Sequence, residues 1–440
     1  MFDTVKKYTF YLKNFAFRPR SIAFYHEFRR EAQLPEDERR QLIFDRLQHI
    51  VKTAWDNSPF YRRKYGAVGM TDGIIRSMAD FEQLPTLEKN ELREYADEIV
   101  NRSIPARRRR PSTTGGSTGV PVKVFHDRKL PLDAIGWYVL EQFGGDISEN
   151  AAFLMRYNPH QRKLPINQIA WFPTRRCFLD VTCITEERWF DFYRRCRGIS
   201  PRYLMGYVGA VEEFASFLER HSLSVPSVRF VWTTAAPLSD SARLNMEKTF
   251  NCPVYNQYGC CEIFWLACEC RLKHFHYFDT IRHFEVLNEQ QLPVPDGEYG
   301  DLAVTDMLNE VFPLIRYRNG DRIKKLTETC SCGSGFPLID KVNGRTTDII
   351  QLKGGGCVPG DFLTTIFDHR PDAVSGFQVV QHRDCSITLK YIPESDDSAE
   401  VVSGVCQRLN KLFHGTPVSA EIVQSIPNDR GKSRFVIRDF

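Results

Sequence analysis

A chain of 440 residues is longer than one hydrophobic core usually supports, so two compact units are expected, one of them large. Its 42% hydrophobic and 26% charged residues exclude a disordered chain, and 59 Lys+Arg against 55 Asp+Glu, a net +4, single out neither nucleic acid nor a membrane surface as a partner. No run of 18 apolar residues occurs, and the opening MFDTVKKYTFYLKNF is broken by lysines, so no membrane-spanning segment, no export signal and a cytoplasmic location are expected.

Residues 36–55 form the first clear element. Acids lead the first turn, and Leu42, Leu47, Ile50, Val51 and Ala54 recur at helical spacing. Residues 58–104, broken by Pro and Gly, predict short helices and loops. Arg107–Arg110 then read as a solvated turn, with a minor role in attracting anionic nucleotide as the alternative. Residues 207–221 predict a helix with Val211, Phe214, Phe217 and Leu218 on one face. A strand follows through Val228, Phe230 and Trp232, then a helix from Ser239 to Phe250 and a strand at Val254–Tyr258. That succession points to a layered α/β core. After residue 275 the pattern turns strand-rich, with Phe284 and Val286, Leu302 and Val304, and Ile315 and Tyr317. Beyond Gly344–Asp348 a strand (Ile387, Leu389, Tyr391) and a helix near 398–413 suggest a small α+β unit.

The 13 cysteines are an odd count, and no export signal accompanies them, which argues against a disulfide framework. Cys270 and His276 lie well before Cys330 and Cys332. Two such soft pairs on turns fit a closed tetrahedral Zn²⁺ site, with Cys268 and His274 as competing ligands and His283 a weaker one. Buried thiols beside a solvent-facing histidine are the alternative.

Five other motifs carry chemistry. Ser112-Thr113-Thr114-Gly115-Gly116-Ser117-Thr118-Gly119-Val120-Pro121-Val122-Lys123 has the glycines and hydroxyls of an anion-cradling loop, but not the Gly-Lys-Ser/Thr of a Walker A loop. Glu262, in a turn after the Val254–Tyr258 strand, offers hard oxygen to Mg²⁺. Asp321, after Gly320, suits ribose hydroxyls or an ordinary Asx turn. Gly344-Arg345-Thr346-Thr347-Asp348, followed by Lys353-Gly354-Gly355-Gly356, is the fourth. Arg430-Gly431-Lys432-Ser433-Arg434 is the last.

Each motif is weak alone, but their order is not. The succession STTGGSTGVPVK, TTAAP, YGCCE, RYRNGD, GRTTD and a terminal GK resembles the adenylate-forming superfamily of acyl-CoA synthetases, luciferases and adenylation domains. Over residues 55–440 the chain looks most like the phenylacetate–CoA ligase-like branch, which includes members found with bacterial polysaccharide genes. The resemblance implies a large layered α/β adenylation domain with a β-rich subdomain (1–345) and a small mobile α+β lid (346–440). It implies that Thr113 to Gly119 hold ATP phosphates. Ala235, Ala236 and Pro237 would pack on adenine, with Tyr258 and Gly259 along the nucleotide. Glu262 would bind Mg²⁺, Asp321 the ribose and Arg345 phosphate or ribose, while Lys432 bridges carboxylate and α-phosphate. A similar Cys…His…Cys-x-Cys pattern in relatives supports the zinc ligands Cys270, His276, Cys330 and Cys332. The sequence departs from the pattern at Thr347, where relatives often carry a hinge acid, and at Cys260 and Cys261.

The expected activity is AMP-forming ligation of a small carboxylic acid to a thiol, most simply CoA, with ATP and Mg²⁺. The alternatives are transfer to a carrier-protein thiol or to an amine of a sugar or peptide, and a non-catalytic nucleotide-binding protein.

Overall fold

A computed structural model covers the chain, and the description leaves out Met1, Cys183, Pro237, Ser239, Lys341, His414, Phe440 and residues 115–121, 157–170, 343–348, 354–356, 360–362, 364–365, 368–369, 371–372 and 427–435. The expected boundary at residue 345 therefore lies outside the described residues. Among the described residues, no helix is long and apolar enough to cross a membrane.

The strands in chain order are β1 (Arg109–Thr114), β2 (Val122–Asp127), β3 (Ala151–Met155), β4 (Arg176–Asp180), β5 (Tyr203–Tyr207), β6 (Phe230–Thr234), β7 (Val254–Tyr258), β8 (Ala267–Glu269), β9 (Phe275–Tyr277), β10 (Arg282–Leu287), β11 (Tyr299–Asp306), β12 (Tyr317–Leu326) and β13 (Leu338–Ile339). From β3 onward they form one sheet in the order β4-β3-β5-β6-β7-β8-β9-β13-β12-β11-β10, while β1 and β2 pair as a separate antiparallel hairpin. Pairing is parallel from β4 to β7 and antiparallel from β7 to β10. The chain thus combines an α/β half with a β-rich half, as the expected fold class requires.

The parallel half owes its form to strands covered on both faces. Helix Val208–Arg220 links β5 to β6, and helix Asp240–Phe250 links β6 to β7. The first buries Val211, Phe214, Phe217 and Leu218, and Phe214 stacks on Trp189 at 5.1 Å. A fully buried Leu or Phe side chain contributes about 1.5–3 kcal/mol, so such a face holds its helix to the sheet without strong intrinsic propensity. Helix Glu36–Asn57 carries three acids in its first turn and buries Leu47, Ile50, Val51 and Ala54 beneath the antiparallel half.

The structure adds two elements that the sequence pattern did not reveal, helices Phe2–Phe17 and Pro19–Glu31. Phe10 and Phe28 enter an aromatic cluster with Tyr138, Phe278 and Phe336. Val5, Tyr8, Leu12 and Phe15 remain exposed on the first helix.

After residue 348 the chain forms a two-stranded ribbon, β14 (Ile349–Gln351) and β15 (Cys357–Pro359). It then forms a four-stranded sheet of β16 (Val374–Gln381), β17 (Ile387–Pro393), β18 (Val418–Ile422) and β19 (Val436–Arg438), in the order β18-β17-β16-β19. Helix Ser398–Leu412 covers it, and Val379, Leu389, Tyr391, Val402, Val405 and Leu409 make a core of their own.

Candidate active site

Glu262 sits where the sheet changes character. Strand β7 ends the parallel run at Tyr258, and the chain turns through residues 259–266 and returns antiparallel as β8. Open α/β sheets bind ligands at the carboxyl ends of parallel strands, near such a change of order. The expectation of an acid on a turn directly after a strand holds, and no helix starts at Glu262.

This loop is fixed mainly through its backbone. Leu266 N–H donates to Tyr258 O at 3.0 Å and Cys260 N–H to Ile263 O at 3.2 Å. The Cys260 thiol lies inside the turn, accepting from Ile263 N at 3.4 Å, and burial pushes its pKa well above the usual thiol range. That places Cys260 in a packing role; Cys261 is exposed. From outside the loop, His126 on β2 meets the Cys261 carbonyl through Nε2 at 2.9 Å. Burial lowers the His126 pKa to about 4, so a neutral ring donates an Nε2–H there near pH 7. Arg282, in a buried ion pair with Asp306 at 2.5 Å, donates to the Phe264 carbonyl from Nε (3.3 Å) and Nη2 (3.2 Å). Held this way, the Glu262 carboxylate is buried and accepts from the Tyr317 hydroxyl at 3.1 Å. Among the described residues no cation pairs with it. A buried, unneutralised carboxylate is a suitable hard-oxygen donor for Mg²⁺, and Glu262 is the residue that would hold one.

The strand ends beside this loop carry several of the other predicted residues. Thr234, the last residue of β6, donates its hydroxyl to Gln257 Oε1 at 2.7 Å, and Gln257 Nε2 donates to Tyr258 O at 2.8 Å. Ala235 follows with φ of 74°, a left-handed conformation that costs a non-glycine residue on the order of 1 kcal/mol and is characteristic of functional turns. Ala236 is the next residue of that turn.

Tyr258 reaches across to β12. Its hydroxyl donates to Asp321 Oδ2 at 2.6 Å, Asn319 Nδ2 donates to the same oxygen at 2.8 Å, and the Asp321 backbone N–H returns to Asn319 Oδ1 at 3.0 Å. Asp321 Oδ1 has no hydrogen-bond partner among the described residues. The segment is not the turn expected from its glycine. Asp301 pairs with Arg322 and Ala303 with Arg318, so Asn319, Gly320 and Asp321 bulge out of β12 with Gly320 at φ 88°. The bulge is what aims Asp321 toward Tyr258. Arg316, from the same motif, is structural: it pairs with buried Glu285 at 2.8 Å.

Gly259 has no room for a side chain. A Cβ there would lie 2.8 Å from Gln257 Nε2 and 3.2 Å from Trp265 N. Gln257 is bonded at both ends, so Gly259→Ala is expected to cost roughly 1–3 kcal/mol as overpacking. It should also lower ATP turnover disproportionately, by displacing the adjoining Tyr258 carbonyl. Thermal melting alongside steady-state kinetics checks this, and a fully active variant would show that the loop tolerates the shift.

Several predicted residues lie outside the described ones: Gly115, Gly116, Ser117, Thr118, Gly119, Pro237, Arg345 and Lys432. Thr113 and Thr114 end β1, with Thr114 opposite Val122, but their side chains are not described. Lys123 is directed to Asp97, 3.6 Å away on the surface. Tyr138 and Trp232 belong to the aromatic core. His126, Arg282, Tyr317 and Asn319 received no role from the sequence. Tyr317 and Asn319 lie inside a recognised motif, whereas nothing local marks His126 or Arg282.

A second cluster lies beyond β8. Ligand atoms of Cys270, His276, Cys330 and Cys332 all fall within 4.8 Å of one another. Cys270 Sγ and Cys330 Sγ are 3.7 Å apart, and Cys332 Sγ is 3.3 Å from His276 Nε2. A tetrahedral Zn²⁺ with Zn–S near 2.3 Å requires sulfurs about 3.8 Å apart, so the spacing fits. His276 Nδ1 meets the Phe336 carbonyl at 2.6 Å, which leaves Nε2 for a metal. The four are the residues expected from the sequence. Of the competing ligands, Cys268 is buried in the aromatic cluster and His274 lies at the rim, 3.3 Å from Cys330.

A scan against protein-family models gave no match. The chain is 24% identical over 432 residues to the phenylacetate-coenzyme A ligase of Escherichia coli (strain K12), covering 90% of this chain and 94% of that protein. It is 24% identical over 419 residues to Protein CapK of Staphylococcus aureus, covering 90% and 88%. Among solved structures, 2-hydroxyisobutyryl-CoA ligase in complex with 2-HIB-AMP and CoA superposes with a TM-score of 0.63 at 18% identity, over 93% of this chain and 91% of that one.

Proposed function

We propose that this chain, a phenylacetate–CoA ligase-like member of the adenylate-forming superfamily, is an ATP-dependent, AMP-forming ligase that activates a small carboxylic acid and transfers the acyl group to the thiol of CoA. The observation that carries this reading is one loop with two chemistries. Tyr258 at its start joins Asn319 and Asp321, and the buried carboxylate of Glu262 follows four residues later. A ribose-binding acid and a cation-binding acid so close in the chain suit a nucleoside triphosphate. The likeness to ligases whose names specify acids and CoA supplies the rest.

A carboxylate acylates poorly because its oxygen leaves badly. In the first step a carboxylate oxygen attacks the α-phosphorus, the bond to the α–β bridging oxygen breaks, and pyrophosphate leaves with the electron pair. In the second, the thiolate attacks the acyl carbon and AMP leaves. Asp321, with Oδ2 held by Tyr258 and Asn319, offers Oδ1 to a ribose hydroxyl and so orients the nucleotide. Mg²⁺ on Glu262 would supply charge neutralisation between two anions. Lys432 is the proposed cation at the meeting of carboxylate and α-phosphate, and Arg345 a further phosphate or ribose contact.

ATP–pyrophosphate exchange over a panel of carboxylic acids, followed by AMP release with and without CoA, tests the proposal. Lys432→Ala is expected to lower exchange by roughly two orders of magnitude or more with an unchanged melting temperature. Exchange that survives unchanged removes Lys432 from the reaction. AMP release that ignores CoA but needs another acceptor overturns the thiol assignment.

A further inference from the structure

The four consecutive arginines are not equivalent in the fold. Arg107 is exposed. Arg108 forks onto Asp127, with Nε–Oδ1 at 3.1 Å and Nη2 on Oδ2. Arg109 Nη2 donates to the carbonyls of Ile104 at 2.8 Å and Asn101 at 3.4 Å. Arg110 has no carboxylate, carbonyl or hydroxyl partner among the described residues. Its guanidinium lies over the Phe264 ring at 5.9 Å. The residue stays exposed to solvent, and desolvation of the guanidinium against the ring, with the charge of Arg128 nearby, pushes its pKa down. Arg110 thus presents an accessible guanidinium beside an aromatic face.

Its position gives that cation meaning. Arg110 pairs in register with His126 on the hairpin that carries the glycine-rich run. The His126 ring packs on the same Phe264 at 4.4 Å and holds the Cys261 carbonyl. In chain order the loop therefore runs from Tyr258, bonded to Asp321, through Glu262, to Phe264 beneath Arg110. A nucleotide with its ribose at Asp321 and its phosphates directed past Glu262 would bring its terminal phosphates toward Phe264. A guanidinium fork matches a phosphate's paired oxygens, and an anion there relieves the repulsion from Arg128.

We propose that Arg110 binds the β- and γ-phosphates of ATP, the part that leaves as pyrophosphate. The inference rests on the function proposed above. The test is calorimetric titration of the whole chain with Mg·ATP, Mg·pyrophosphate and AMP, comparing the wild-type protein with Arg110→Gln, Arg110→Lys and Arg107→Gln. Arg110→Gln is expected to weaken Mg·ATP and Mg·pyrophosphate about tenfold and to leave AMP within about twofold. Arg110→Lys, which keeps the charge but not the fork, should fall between, and Arg107→Gln should match the wild type. If Arg110→Gln binds Mg·pyrophosphate normally, Arg110 is only a structural cation on Phe264. An equal loss of AMP, or an equal effect from Arg107→Gln, overturns the assignment as well. If Arg110→Gln does not fold, Arg110→Lys decides: unchanged Mg·pyrophosphate binding rejects the fork. A wild-type chain that binds no Mg·ATP rejects the proposed function itself, whereas normal wild-type binding with an indifferent Arg110→Gln rejects this inference alone.

Discussion

Glu262→Gln is expected to reduce acid-dependent ATP–pyrophosphate exchange by about two to three orders of magnitude, with little change in melting temperature. The two halves of that expectation have separate causes. The loop is held by backbone contacts, from His126 to the Cys261 carbonyl and from Arg282 to the Phe264 carbonyl, and the substitution touches neither. A glutamine oxygen still accepts from the Tyr317 hydroxyl, so that donor keeps its partner. Among the described residues no cation pairs with the carboxylate, so the substitution breaks no ion pair there and stability changes little. Activity is another matter. An amide cannot neutralise the charge of a divalent cation, and transition-state stabilisation by fixed charge is commonly the largest single contribution to such a reaction. Exchange kinetics over a range of Mg²⁺ concentrations, with melting curves on the same samples, separate the two. Full exchange by the variant at ordinary Mg²⁺ would remove Glu262 from the chemistry.

The parts of this site legible in the sequence are those whose signal is local. Glu262 lies in a turn directly after the Val254–Tyr258 strand, and the zinc candidates lie as two short soft pairs, so both can be nominated locally, although spacing leaves Cys268 and His274 as competing ligands. The helix at Val208–Arg220 announces itself through one apolar face. The residues that hold the site together have no such signal. His126 and Arg282 act on the carbonyls of residues distant in the chain, and a carbonyl contact leaves no trace in residue type. At Asn319–Asp321 the sequence alone does not separate a turn from a bulge, because Gly320 marks a positive φ in either case. Only the pairing of β11 with β12 distinguishes them. The N-terminal helix was hidden for a related reason: it buries Phe10 but leaves Val5, Tyr8, Leu12 and Phe15 exposed, so its apolar positions do not describe one inward face. The arginine run shows the limit from the other side, since four identical residues have four different environments that composition cannot separate.

The largest effect on stability is expected at the second cluster. Purified protein should carry about one zinc per chain, and Cys332→Ser or Cys270→Ser should lose it together with several kcal/mol of stability, which lowers the melting temperature by about 5 °C or more. The geometry explains the size. Cys270 follows β8 and His276 lies in β9, while Cys330 and Cys332 lie between β12 and β13, where β13 pairs with β9. One ion would tie two connections that are some 60 residues apart in the chain, close to the strand that begins where the Glu262 loop ends. With four protein ligands no position stays open for substrate, so the metal acts on the fold and activity falls only as the fold loosens. Two neighbours make the prediction specific. Cys268 packs in the aromatic cluster, so Cys268→Ser should keep the zinc and cost only its packing. His274 touches Cys330 from the rim while His276 presents Nε2 to Cys332, so His274→Ala should keep the metal and His276→Ala should lose it. Elemental analysis with melting curves of the five variants measures this. A metal-free chain that melts with the same midpoint after chelation would mean that the cluster is only three thiols and a ring packed closely together.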